Sequence, residues 1–348
     1  MATSCGGYAR AFRSLITLGT VPTNRSSMRA AVVRVLGQPP EFGEFPDPEA
    51  GSNEVLVSMT ASAVNPLTLS RAGGSHYSAR TPTPFVAGVD GVGRTSDGTR
   101  VYVPATRPPF GTLAERVPSA AAQLVPLPEG LSDTRAAAIA VPGLSCWNPL
   151  VHRAPIRPGE SVLVLGATGA AGHMAIQIAK HLGARAVVAL GRNPEKLATL
   201  RAIGADRVIS LDQPPETIRS EVRSAARELS VGVVLDYLWG PGAEAVIAGV
   251  GGPDGPRGPD PVRYVQIGSI AGPTISLDSV ILRSSGLEIL GSGIGSSTRE
   301  TLLESLRAVF AAAASAGFRL DTEVRPISEV AAAWGRTGGD HRLVFSIP

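Results

Sequence analysis

Long hydrophobic runs are missing from this 348-residue chain. No uninterrupted apolar stretch approaches the ~20 residues that a membrane-spanning helix needs, which excludes such a helix. Cysteine is almost absent. Cys5 and Cys146 alone build neither a disulfide framework nor a cysteine-based zinc site. Aromatic residues amount to 5%, too few for a surface that stacks nucleobases. The five histidines are scattered, without the spacing of metal ligands. Lysine occurs only at Lys180 and Lys196, so arginine carries almost all of the positive charge. Acidic residues are missing from positions 1–27, which hold Arg10, Arg13 and Arg25. With three of the 32 basic residues there, the rest of the chain carries 29 of each sign. The net charge of +3 therefore belongs to the N-terminal stretch, and the neutral body offers little to a polyanion such as nucleic acid.

What is present is a soluble, globular composition: 43% hydrophobic and 18% charged residues, in a length that suits two domains of roughly 100–200 residues each. The chain has 40 glycines and 29 prolines, well above the background of about 12% for the two together, and no Gly-X-Y period. That composition implies many turns between short elements. Residues 1–27 are expected to form a disordered extension with two open origins. One is an organelle transit peptide, which implies an organelle matrix. The other is an upstream addition to a chain that truly begins at Met28, which implies the cytoplasm.

From Met28 to about Gly143 the pattern is one of short strands and turns. Glu54 to Met59 alternates as a half-buried strand does, and Arg100–Val103 and Gly111–Glu115 are similar runs separated by Pro and Gly. From Pro158 the rhythm changes to strand, helix, strand, helix. Ser161–Leu165 is continuously apolar, as expected of a parallel strand buried on both faces. Ile176, Ala179 and Leu182 share a helical face that Gly183 ends. Ala186–Leu190 is the next strand, after which Asn193 is placed to cap a helix with Pro194 at its first position. Val231–Asp236, Tyr264–Gly268 and Leu287–Gly291 read as further strands, and the alternation predicts an α/β fold with a doubly wound parallel sheet. Residues 251–261 read as a turn-rich surface loop. Ser297 to Glu300 fits a capping box for a helix that Gly317 ends, and Leu343–Ile347 is a final strand.

The most informative segment is Gly166-Ala167-Thr168-Gly169-Ala170-Ala171-Gly172, between a strand and a helix. Gly166 suits the tight turn, Gly169 lets a pyrophosphate approach the backbone, and Gly172 lets helix and strand pack closely. Exposed N–H groups at the helix start then meet the phosphate charge. The strand–turn–helix context is what makes this a dinucleotide site and not a mere glycine-rich turn. The second strand ends Leu190-Gly191-Arg192-Asn193, without the acid that takes the ribose 2′-hydroxyl in NAD sites. Gly191 leaves room for a 2′-phosphate, Arg192 offers it a planar set of donors, and Lys196 adds charge one turn later. Arg192 and Lys196 also read as two solvated cations at a helix start; the missing acid favours NADP(H).

At this point the chain resembles a family. Ala63-Val64-Asn65-Pro66, Pro84 to Gly93, Gly143-Leu144-Ser145-Cys146-Trp147, the Gly166–Gly172 loop and Val265-Gln266-Ile267-Gly268-Ser269 together resemble the medium-chain dehydrogenase/reductases, within them the zinc-independent quinone oxidoreductase branch. The resemblance runs from Met28 to the C-terminus. It implies a GroES-like β-rich catalytic domain at 28–143 and 294–348, a Rossmann cofactor-binding domain at 144–293, and Gly268 and Ser269 beside the cofactor. A homodimer is expected. The zinc enzymes of the superfamily carry a Cys, a Gly-His-Glu, and a Cys or Asp. Here those places read Asn65, Gly88-Val89-Asp90 and a position near Val141, which cannot hold zinc, and no four-Cys lobe is present.

Without a Lewis acid, hydride addition to a conjugated carbonyl or quinone remains feasible, because the developing charge is delocalised and hydrogen bonds can stabilise it. Three residues are candidates for the catalytic polar groups. Asn65 aligns with a family Asn at the nicotinamide or substrate, and also reads as a turn residue before Pro66. Tyr77 lies near the place of a proton-donating Tyr in enoyl reductase relatives, one residue displaced. Ser145 aligns with a hydroxyl that faces the nicotinamide, and also reads as a helix-start hydroxyl. Asp236, at the carboxyl end of its strand, has a capping role open to it and is assigned no catalysis. The expected activity is NADPH-dependent reduction of a small quinone or enone, with no metal, nucleic acid or membrane partner. A 2-enoyl-thioester reductase and a non-catalytic cofactor- or RNA-binding protein are the alternatives.

Overall fold

The computed structural model describes residues 26–75, 81–255, 260–336 and 341–348. The first part of the chain runs β1 (Ser27–Val33), β2 (Glu41–Pro46), β3 (Glu54–Ala63), helix α1 (Pro66–Ala72), β4 (Phe85–Val86), β5 (Gly91–Arg94), β6 (Arg100–Val103), β7 (Arg116–Ala120), β8 (Val125–Pro126) and α2 (Asp133–Asn148). The second runs β9 (Ser161–Leu165), α3 (Ala170–His181), β10 (Val187–Gly191), α4 (Pro194–Thr199), β11 (Arg207–Ser210), α5 (Pro215–Leu229), β12 (Val231–Asp236), α6 (Gly240–Val250), β13 (Arg263–Gln266), α7 (Ser279–Ser285) and β14 (Glu288–Gly291). The chain then returns through α8 (Arg299–Ala316), β15 (Thr322–Pro326), α9 (Val330–Ala333) and β16 (Arg342–Ser346).

The fold is α/β. Strands β9–β14 form one six-stranded parallel sheet in the order β11-β10-β9-β12-β13-β14. Every residue of β9 is buried, because helices cover both faces. A mostly antiparallel sheet follows the path β15-β16-β3-β5-β6-β8, with β7 also on β3, and a small sheet joins β2, β1 and β4. The final strand β16 lies antiparallel to β3, with Val344 opposite Ala63, so both ends of the chain build one sheet. Gly183, Gly204 and Gly317 stand just past helices in the left-handed region, as their sequence positions predict.

Three local expectations are corrected. The cap of α8 is Thr298, whose hydroxyl accepts from Thr301 N at 3.2 Å, and not a box formed by Ser297 and Glu300. Ser145 is not at a helix start: α2 begins after its cap Ser132 and passes through residues 143 and 144 without interruption, so Ser145 sits in its last turn. The strand expected at Gly111–Glu115 forms five residues later, as β7.

Helix α2 is the hinge pin of the molecule. Ala136 to Ala140 are all fully buried, and the same core holds Ala61, Val92, Tyr102 and Val344 from the antiparallel sheet, Val309 and Phe310 from α8, and Met174 and Ile178 from α3. One continuous apolar core therefore crosses from one sheet to the other, and the carboxyl ends of β9, β10, β12 and β13 come out beside it. No described helix is long and apolar enough to cross a membrane.

Candidate active site

The parallel register brings Leu165, Leu190, Asp236 and Gln266 level at one sheet edge. The four segments that leave there build a crevice. Gly166 turns at φ +92°, and its N–H and that of Ala167 both donate to Leu190 O, at 3.0 and 2.8 Å. A Cβ on Gly172 would fall on Ala167 Cα and Gly166 O, so helix α3 lies as close to the turn as the backbone permits. Gly169 is exposed and is the N-cap of α3, with no side chain to cap it. By contrast, Asn65, Ser132, Asn193, Asp278 and Thr298 all accept from the helices that they start. The N–H groups that open α3 are thus left for a ligand, at the positive end of the helix.

Around this loop the other cofactor candidates are arranged by strand geometry. Gly191 is buried at the end of β10, and a Cβ on it would meet Thr168 Cγ2 at 2.6 Å. The glycine therefore admits the Thr168 side chain of the loop. Arg192 is exposed, and its guanidinium makes no hydrogen bond or ion pair with a described residue. Asn193 caps α4 by accepting from Lys196 N at 3.0 Å, as predicted. Lys196 is half-buried on the side of His173. Gly268 donates to Asp236 O at 3.1 Å, and Ser269 beyond it is exposed.

Asp236 is a cap. Its Oδ1 accepts from Leu238 N and Trp239 N, at 2.8 and 2.9 Å, and its Oδ2 accepts from Tyr264 OH at 2.7 Å. Burial raises its pKa. These bonds hold the turn at Trp239, a left-handed residue at φ +58°, and so fix the exits of β12 and β13 relative to each other.

Ser145 reaches the same edge from α2. Tyr237, just after β12, donates from its hydroxyl to Ser145 O at 3.5 Å. The Ser145 hydroxyl itself donates to Pro142 O at 2.8 Å, which leaves it an acceptor. Next to it, Cys146 is fully buried, bonds Pro142 O and Gly143 O, and has its thiol pKa pushed up by burial. It is no nucleophile.

Asn65 lies in the antiparallel half of the molecule. It caps α1, with Oδ1 accepting from Thr68 N at 2.8 Å and Nδ2 donating to Asp90 Oδ1 at 2.8 Å. Both carboxylate oxygens of Asp90 are in use, since Oδ2 accepts from Tyr102 OH at 3.0 Å. Burial lifts the Asp90 pKa to about 6, against the opposing pull of Arg342, Tyr102 and Asn65. Asp90 was met in the sequence only as part of the place that a zinc site would use, and Tyr102 and Arg342 were given no role, because each reads as an ordinary residue of a short strand. His173 was also missed. It stands in the first turn of α3 with Nδ1 3.3 Å from Gly169 O, and burial lowers its pKa. Tyr77 lies outside the described residues. No hydrogen bond joins Asn65 to Ser145; α2 packs against β3, the strand that ends two residues before Asn65.

The residues do not fit zinc. At the places of the ligands stand Asn65, whose amide is already bonded at both ends, and the apolar Val89 and Val141. Among the described residues no group of three or more His, Cys, Asp or Glu is placed to hold a metal ion. They do fit a dinucleotide, which would meet the uncapped α3 N-terminus, the Gly169 backbone and Arg192.

Comparison with known proteins agrees with this geometry. A model of the family "Zinc-binding dehydrogenase" matches residues 170–309. The quinone oxidoreductase of Rattus norvegicus is 32% identical over 230 residues, which cover 62% of this chain and 68% of that protein. A probable NADPH-dependent quinone reductase of Emericella nidulans is 29% identical over 351 aligned residues, covering 88% of this chain and 96% of that one. Among solved structures, the quinone oxidoreductase of Thermus thermophilus, whose complex with NADPH is also known, superposes with a TM-score of 0.76. It is 30% identical and covers 92% of this chain and 100% of its own.

Proposed function

The chain belongs to the quinone oxidoreductase-like medium-chain dehydrogenase/reductases, and from that premise we propose that it uses NADPH to reduce a small quinone or an activated alkene. One observation carries the cofactor half of this reading: an uncapped, glycine-lined helix start beside a strand that is followed directly by Arg192 and offers no carboxylate at its end. The named relatives of Emericella nidulans and Thermus thermophilus, linked to NADPH by their own names, support it.

The bound nicotinamide supplies a hydride. The protein supplies position and polarity. The N–H groups of Ala170, Ala171 and Gly172 would hold the diphosphate. The Ser145 hydroxyl, with its own hydrogen on Pro142 O, would serve as an acceptor toward the nicotinamide end. The Asn65 amide keeps one N–H that Asp90 does not take, and this N–H donates to the acceptor carbonyl as negative charge develops there. A pocket beside α1, lined by polar groups such as Thr68 and Arg71 as well as by Phe85, Val89 and Phe110, supports a small acceptor with both polar and apolar parts. The proton that completes the reduction comes from solvent or from a residue such as Tyr77, which we also propose for this role.

The test is NADPH oxidation against a panel of quinones, enones and crotonyl-CoA. Turnover of quinones or enones supports the reading. Turnover of crotonyl-CoA alone makes the protein a thioester reductase, and no turnover of any acceptor overturns the activity. Cofactor choice is tested at Arg192. Arg192→Ala is expected to weaken NADPH by about tenfold, because a charge-assisted contact to the 2′-phosphate is lost. NADH, which lacks that phosphate, changes little. Equal weakening of both cofactors would show that Arg192 only shapes the loop.

We also propose a homodimer. Strand β14 is the outer strand of the parallel sheet, with Ile289 exposed on it and Val280 and Leu282 exposed on the adjoining α7. A mass by light scattering near twice 35.8 kDa supports this, and a monomer at micromolar concentration refutes it.

A further inference from the structure

Arg342 opens strand β16. Continuing the β16–β3 register two pairs beyond Ala63 and Val344 sets it level with Asn65, on the sheet face that packs against α2. It is buried, and its Nε and Nη2 have no hydrogen-bond partner. A buried guanidinium without partners is expensive unless an opposite charge compensates it. The compensating charge is Asp90, which lies on the same face two strands across and makes no ion pair contact with Arg342 within 4 Å.

The surroundings of Asp90 are simple. β6 contributes Tyr102, β16 contributes Arg342, and the α1 cap contributes the neutral Asn65. The helices over this face add apolar groups, such as Phe310 edge-on to Tyr102 at 5.3 Å. The charges of α2 point elsewhere: Asp133 binds Thr60 and Arg100, and Arg135 reaches the carbonyls of Ala313 and Phe318. Among the described residues Arg342 is thus the one cation that acts on Asp90.

We propose that Arg342 is a positioning residue: it compensates the buried Asp90 carboxylate from across β3, and the carboxylate fixes the Asn65 amide so that one N–H remains for the acceptor. The inference rests on the reading of Asn65 given above. As a carboxylate, Asp90 accepts from both Asn65 and Tyr102. Once protonated it carries a donor and is a weaker, uncharged acceptor. A proton on Oδ2 turns the Tyr102 bond round, and a proton on Oδ1 opposes the Asn65 N–H that this oxygen accepts. Protonation therefore loosens the hold of Asp90 on the site's amide. The pKa of Asp90, raised by burial to about 6, puts this event within the working range of the assay.

The test follows the pH profile of kcat/KM for the acceptor that the panel identifies, in the wild type, Arg342→Met, Arg342→Lys and Asp90→Asn. In the wild type the rate is level above pH of about 6 and falls below it. Arg342→Met moves that fall to higher pH by about one unit or more, a tenfold change in proton affinity. Arg342→Lys returns it toward the wild type, and Asp90→Asn removes it. NADPH affinity stays within about twofold in all variants.

A second readout needs no turnover. Because the folded pKa of Asp90 lies above the unfolded 3.8, the folded state holds a proton that the unfolded chain has lost. Asp90 therefore adds stability as pH falls from about 6 toward 3.8. This gain should begin at higher pH in Arg342→Met and vanish in Asp90→Asn, read as melting temperature against pH. If both profiles stay in place in Arg342→Met, or if that variant loses NADPH affinity instead, the proposal fails. If the melting profiles move while no acceptor is turned over, the pairing stands and the activity reading fails.

Discussion

Gly172→Ala is expected to lose stability and cofactor affinity together. The added methyl would fall on the backbone at Ala167 Cα and Gly166 O, atoms that no rotamer change can move aside. Overpacking of this kind costs about 1–3 kcal/mol. Helix α3 must also shift from the turn, which moves its free N–H groups off the phosphate, so NADPH should weaken by tenfold or more. Gly169→Ala is the control. A Cβ at Gly169 meets only Gly166 O at 3.7 Å, so the fold should keep its melting temperature while the methyl obstructs the bound diphosphate. Denaturant midpoints and cofactor titrations on both variants separate packing from binding. Unchanged stability in Gly172→Ala would mean that α3 does not press on the turn.

Glu160→Ala is expected to have the largest effect on stability of any single substitution considered. Arg263, at the start of β13, has a side chain only 5% exposed; it grips both oxygens of Glu160 and donates to Pro155 O at 2.5 Å. Glu160 also accepts from Arg157 N at 2.7 Å. This ties the loop before β9 to β13, at the sheet end opposite the crevice. Removing the carboxylate leaves a buried cation whose Nε already lacks a partner, a loss of about 3–5 kcal/mol. The double variant Glu160→Leu with Arg263→Met removes both charges and should recover most of that loss. Urea unfolding of the two decides it: a single variant within about 1 kcal/mol of wild type would show that the pair contributes little.

Much of the cofactor half was legible because its signals are local. A strand buried on both faces is apolar throughout, as Ser161–Leu165 is. Glycines that end helices must tolerate the left-handed region, as Gly183, Gly204 and Gly317 do. Asn193 before Pro194 marks a cap within four residues of chain. The first three turns of helix α2, before Ser145, escaped the reading for the opposite reason. Its alanines are buried on every side, so no polar face marks a helical period.

The amino-acid sequence by itself determined the parallel sheet, the glycine turn, the missing acid after the second strand and the non-metal residues at positions 65, 89 and 141. Each of these depends on backbone chemistry or side-chain identity within one short segment. Only the tertiary structure decided what Asn65 can do. Its partner Asp90 follows by 25 residues, Tyr102 by a further 12, and Arg342 comes from the far end of the chain. Charges so distant in sequence act on one another only when β16 folds back beside β3 and α2 excludes water from the space between them.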